Sequence, residues 1–217
     1  MIWAASRALA QMGARVEIDG EGENLVRRLT NPAETPNWPE WSTAPVALVQ
    51  AQGLPNLMHE LVHAVQAGAL DDDHGIDYGA IPFDLQTPAG RAVLWDELSC
   101  CVISCAHLWS QGRAARAGRP SADIEAEVHD WFREQVEIQP VFYGMDAEPA
   151  AFHPRVSGLL HAHRSEASAA LERAYAATYH ALRRAGASDP LARPPRPLTF
   201  ESMWPLARPR LDSAECA

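Results

Sequence analysis

Pro55-Asn56-Leu57-Met58-His59-Glu60-Leu61-Val62-His63-Ala64-Val65-Gln66-Ala67-Gly68 is the stretch that decides the fold. Proline suits the first turn of a helix, where its missing N–H costs nothing, and glycine suits the position just past the end. Between them Leu57, Met58, Leu61, Val62 and Val65 are not confined to one stripe, so this helix is expected inside the protein. His59 and His63 are four residues apart and share a face, separated by about 40° around the axis; Glu60 lies about 100° from His59. A carboxylate and two imidazoles on a buried helix are costly unless something satisfies them. One metal ion held by both imidazoles does so, with Glu60 close enough to act on a water without being a ligand.

A third protein ligand is needed, and the chain downstream offers several. Residues 69–86 read as irregular, with Asp71, Asp72, Asp73, His74, Asp77 and Tyr78 among them. Thr87-Pro88 is then an N-cap and first-turn pair for a second helix running to about Ser110. On that helix Leu94, Leu98, Cys101, Val102, Cys105 and Trp109 share one face. Glu97 sits about 100° from the centre of that face and Asp96 about 160° away, towards solvent. Glu97 is therefore the expected third ligand, with Asp71, Asp72, Asp73, Asp77 and His74 as rivals. Cys101 and Cys105 read as small hydrophobes on the core stripe, and Cys100 has no assigned role. Tyr78 or Tyr143 would donate a proton to a developing oxyanion, with Tyr78 preferred. His107, His129, His153 and His180 are isolated and read as structural or exposed; His161 and His163, two apart, have the wrong spacing for one helical face.

Outward from this centre, residues 2–12 predict a short helix ending near Gly13. Arg15–Ile18 alternate like a strand and run into the turn Asp19-Gly20-Glu21-Gly22. Asn31–Pro45, with four prolines and two tryptophans, is an ordered loop, and Val46–Gln50 a second short strand. A third helix starts at Ser121, with Asp123 and Glu125 in its first turn, and runs to about Gln139; a fourth covers Ser165–Arg184 and stops at Gly186. The expected fold is mainly α (α+β), a helical core with a minor short sheet or hairpin. Residues 1–188 form one metal-binding domain and 189–217 a proline-rich tail, partly packed through Phe200, Met203 and Trp204.

Composition narrows the function. The chain has 217 residues, 47% hydrophobic and 21% charged, which is ordinary globular usage. Net charge is −10 and every basic residue is arginine, so nucleic acid is not an expected partner and a Schiff-base lysine is excluded. No apolar run is expected to reach the roughly 18 residues of a membrane helix, and MIWAASRALA is a poor signal peptide. Three of the four cysteines fall within six residues, at Cys100, Cys101 and Cys105, which makes no disulfide framework. A cytoplasmic location with reduced thiols is the expectation.

Two families share the motif. His59-Glu60-Leu61-Val62-His63 with a downstream acid resembles the zincin metallopeptidases. Gln66 and Ala69 stand where metzincins carry glycine and histidine, so the resemblance is to the class with a glutamate third ligand. Asp73-His74-Gly75-Ile76-Asp77-Tyr78-Gly79 loosely resembles the aspzincin Asp and Tyr-Gly stretch. The zincin resemblance implies zinc on His59, His63 and Glu97, with Glu60 activating water to hydrolyse a peptide, protein or small amide. The chain also resembles the elongation factor P hydroxylase family, through the motif, Ala67-Gly68, Tyr78 and Glu97. That likeness implies a non-haem iron site with two histidines and one carboxylate. A non-catalytic, metal-stabilised binding module is the third expectation.

Overall fold

A computed structural model describes residues 1–29, 44–70, 82–115 and 121–207. The chain opens with helix α1 (Ile2–Gln11), strands β1 (Ala14–Ile18), β2 (Leu25–Arg28) and β3 (Ala47–Ala51), and helix α2 (Leu54–Ala67). It continues through α3 (Pro88–Ala115), α4 (Ser121–Glu137), α5 (Phe152–Ala162), α6 (Arg164–Arg184), and the short helices α7 (Asp189–Ala192) and α8 (Phe200–Met203). Tight 3-10 turns span Gln139–Tyr143, Pro149–Ala151 and Trp204–Ala207. The mainly α class with a small sheet is the observed one.

In the sheet β3 is central, parallel to β1 with Ala14 opposite Ala47, and antiparallel to β2 with Leu25 opposite Gln50. Ala47, Val49 and Ala51 alternate inward and are fully buried. They meet Ala4, Ala5, Ala8 and Leu9 of α1, Leu57, Met58 and Leu61 of α2, and Leu182 of α6 in one core cluster. A second cluster fills the space among α3, α4, α5 and α6, and Val62 of α2 belongs to it. Thus α2 lies between two cores, and its all-round apolar character is the sequence record of that position.

Local signals set the ends of the two central helices. Gly68 closes α2 at φ 73°, donating its N–H to the Ala64 carbonyl; a side chain at that dihedral would be strained. At the start of α3, Thr87 Oγ1 accepts the Gly90 N–H at 3.0 Å, the expected cap. From Leu94 to Ala106 α3 is buried nearly all round, packed by α2, α4 and α6.

Several expectations change here. The stretch Pro88–Gln111 is, by length and composition, apolar enough to cross a membrane, although no such run was anticipated; 72% of its apolar window is buried inside the protein, as in a core helix. Strand β2 and helix α5 had no clear periodic signal. The third helix stops at Glu137, before Gln139. The segment from 189 contains α7 and α8, with Phe200, Met203 and Trp204 buried in the second cluster. The loop expected over Asn31–Pro45 lies almost wholly outside the described residues.

Candidate metal centre

His59 and His63, one turn apart on α2, project towards Glu97 on α3. The two Nε2 atoms are 3.0 Å apart. His63 Nε2 is 3.0 Å from Glu97 Oε2, and His59 Nε2 is 3.3 Å from Glu97 Oε1. These three donors come together as expected, and all three side chains are nearly buried, at 11, 6 and 13% exposure for His59, His63 and Glu97. Ligand atoms bound at about 2.0–2.1 Å lie about 3.3–3.4 Å apart around a tetrahedral ion and about 2.8–3.0 Å apart around an octahedral one. The observed separations span both, so the donor trio fits one small divalent cation.

The surroundings explain why the trio holds together. Burial alone would raise the Glu97 pKa, but His63 and His59 outweigh it and keep the carboxyl ionised well below the usual range. Burial opposes a charge on His63, yet the Glu97 carboxylate and the hydrogen bond to Asp96 hold its pKa well above that of an ordinary imidazole. Gln139, at the start of the 3-10 turn after α4, donates from Nε2 to Glu97 Oε1 at 2.8 Å. Trp131 of α4 packs edge-on against the His59 ring, with centroids 6.2 Å apart.

Asp96 corrects the helical projection. It does not point away to solvent: its Oδ2 accepts from His63 Nδ1 at 3.0 Å, and its side chain is 29% exposed. Because α3 is surrounded, the side of the helix opposite its apolar stripe faces α2 and not water. A carboxylate on the outer nitrogen of a ligand histidine orients the ring and directs the other nitrogen at the metal. His59 has a weaker outer partner, the Cys101 thiol at 3.9 Å from Nδ1. His63, Asp96 and Cys100 form a second donor group, within 4.8 Å of one another, sharing His63 with the first.

The remaining site predictions divide. Tyr78, Asp71, Asp72, Asp73, Asp77 and His74 lie outside the described residues. Tyr143 is buried, and burial with the nearby charges of Glu97 and Asp96 raises its phenol well above the usual range, so it stays a proton donor. Glu60 is half-buried on α2. Cys100, Cys101 and Cys105 are free, buried and pushed up by burial, hence protonated and inert in the metal-free protein. His107, expected to be structural or exposed, is buried at 1% exposure. Gln139 was not anticipated, although Pro140 marks the helix end that turns it inward.

Comparison with protein-family models, with curated proteins and with solved structures gave no match for this chain.

Proposed function

We propose that the chain is a mononuclear metalloenzyme, with His59, His63 and Glu97 holding one divalent cation and Glu60 acting as general base in hydrolysis of an amide or peptide bond. The observation that carries this reading is the convergence of two imidazole nitrogens, 3.0 Å apart, on the two oxygens of one carboxylate, at 3.0 and 3.3 Å, at a buried junction of two helices. A zinc ion there supplies Lewis acidity and an activated water, whereas iron(II) on the same ligand types supplies dioxygen chemistry. Asp96 fixes the proton of His63 on Nδ1. Glu60, next to His59 but not part of the donor trio, takes a proton from the attacking water and returns it to the leaving amine. Tyr143, protonated beside Glu97, is the donor available to a developing oxyanion among the described residues. The substrate class is a peptide, protein or small amide in the cytoplasm.

The two-histidine, one-carboxylate set equally supports a second reading, an iron-dependent hydroxylase. Metal analysis of the purified protein separates them. One zinc per chain, lost in His59→Ala and Glu97→Ala, supports the hydrolase, and Glu60→Gln should then retain the ion and abolish hydrolysis. Stoichiometric iron with substrate-dependent oxygen uptake favours the hydroxylase. No stoichiometric metal after reconstitution overturns both.

A further inference from the structure

Gln139 has two polar ends in different circumstances. It is completely buried. Its Nε2 donates to Glu97 Oε1 at 2.8 Å, while its Oε1 is buried with no hydrogen-bond partner among the described residues. An unpaired buried carbonyl is costly. The amide cannot relieve this by flipping, because that would set its oxygen against the Glu97 carboxylate. The orphaned acceptor lies on a residue in direct contact with a member of the donor trio.

Resting on the metal-centre reading above, we infer that Gln139 is a positioning residue of that centre. Its N–H holds Glu97 Oε1 and so orients the carboxylate towards the two imidazoles. The 3-10 turn at Gln139–Tyr143 is the device that brings this amide in: Pro140 ends α4, and Gly144, at φ 64°, closes the turn. The same turn carries Tyr143, so one short segment supplies both the group that orients Glu97 and the protonated phenol near it.

The test is cobalt and zinc affinity, measured by competition with a chromophoric chelator, for wild type, Gln139→Met and Gln139→Asn. Methionine keeps the volume and removes both polar functions; asparagine keeps an amide but is one methylene too short to reach Glu97. The expected result is a dissociation constant raised about 10–100-fold in both variants, a changed visible spectrum of the cobalt form, and metal-free melting close to wild type. Wild-type affinity and an unchanged cobalt spectrum in either folded variant would overturn the inference while leaving the metal centre intact. If wild type binds no ion at the sites removed by His59→Ala, the metal-centre reading itself fails. A measurement on the unaltered protein guards against variants that do not fold: the assigned Gln139 side-chain N–H resonances should shift on zinc addition, and their constancy would also refute the role.

Discussion

Acidification should unfold this protein in part through His107, a residue remote from the proposed chemistry. Its ring is buried in α3 at 1% exposure, and its Nδ1 has no hydrogen-bond partner among the described residues. Burial first, and then the positive N-terminus of Met1, lower its pKa from 6.5 to about 4. Above pH 6.5 the ring is neutral folded and unfolded, and its full stability is present. Between 6.5 and about 4 the unfolded chain takes up a proton that the folded chain refuses, so stability falls as pH falls. Below about 4 the loss levels off. At about 1.4 kcal/mol per pH unit the total is about 3 kcal/mol, a large share of typical domain stability. The perturbation that isolates it is His107→Leu, which removes both the titration and the orphaned nitrogen. Urea unfolding of both proteins should show the variant as stable as wild type or more so at pH 7, and further ahead by about 3 kcal/mol at pH 4. Acid-sensitive groups elsewhere cancel in the difference. A stability difference that stays constant between pH 7 and pH 4 would refute the argument.

Other outcomes follow from the site and the helix that carries it. Asp96→Asn should weaken metal binding about 10–100-fold without changing stoichiometry, since it removes the carboxylate on His63 Nδ1 and not a ligand; unchanged affinity in a chelator competition would show that this contact does not orient the ring. Gly90→Ala should lower the stability of the metal-free protein by at least about 1–3 kcal/mol in urea titration. A Cβ there collides with the Asp84 carbonyl, whose carbon would be 2.6 Å away, and that carbonyl is already engaged by Thr87 through N at 3.0 Å and Oγ1 at 2.8 Å. A Gly90→Ala protein as stable as wild type would mean that the cap yields easily.

The legible part of the site was what helical geometry carries by itself. His59 and His63 needed only a spacing of four, and α2 only its proline, its glycine and an apolar character on every side. Glu97 was legible because a residue at the margin of an apolar face looks between helices. The reasoning that reached Glu97 also sent Asp96 to solvent, because one helix considered alone has an inside and an outside. In the folded chain α3 is buried nearly all round from Leu94 to Ala106, and Asp96 meets α2. Strand β2 was hidden for a related reason: Leu25-Val26-Arg27-Arg28 has no alternation, since its arginines are exposed at the sheet edge and its pairing with β3 supplies the order. Gln139 is a contact between segments 42 residues apart, and no local pattern encodes such a contact.

The two imidazoles are not equivalent, and the difference governs how an ion would enter. A carboxylate can only accept, so Asp96 keeps a proton on His63 Nδ1. Glu97 Oε2 faces His63 Nε2 across 3.0 Å, and the raised His63 pKa favours a second proton there. That is the position a cation must take, and loading therefore expels this proton. His59 faces a protonated thiol at 3.9 Å, a weak partner that does not fix its tautomer as a carboxylate would. His63 would thus be the anchored ligand of a bound ion and His59 the compliant one. Replacing Cys101 by Asp should tighten the second arm only if the larger group fits the packed face of α3, where Cys101 is fully buried. Cys101→Ser is the smaller change, but its Oγ, on a shorter bond, lies no nearer His59 Nδ1 than the 3.9 Å of the thiol, beyond hydrogen-bond reach, so a zinc affinity close to wild type is the expected result. A clear rise in zinc affinity in the serine variant would show that the outer nitrogen of His59 does limit binding.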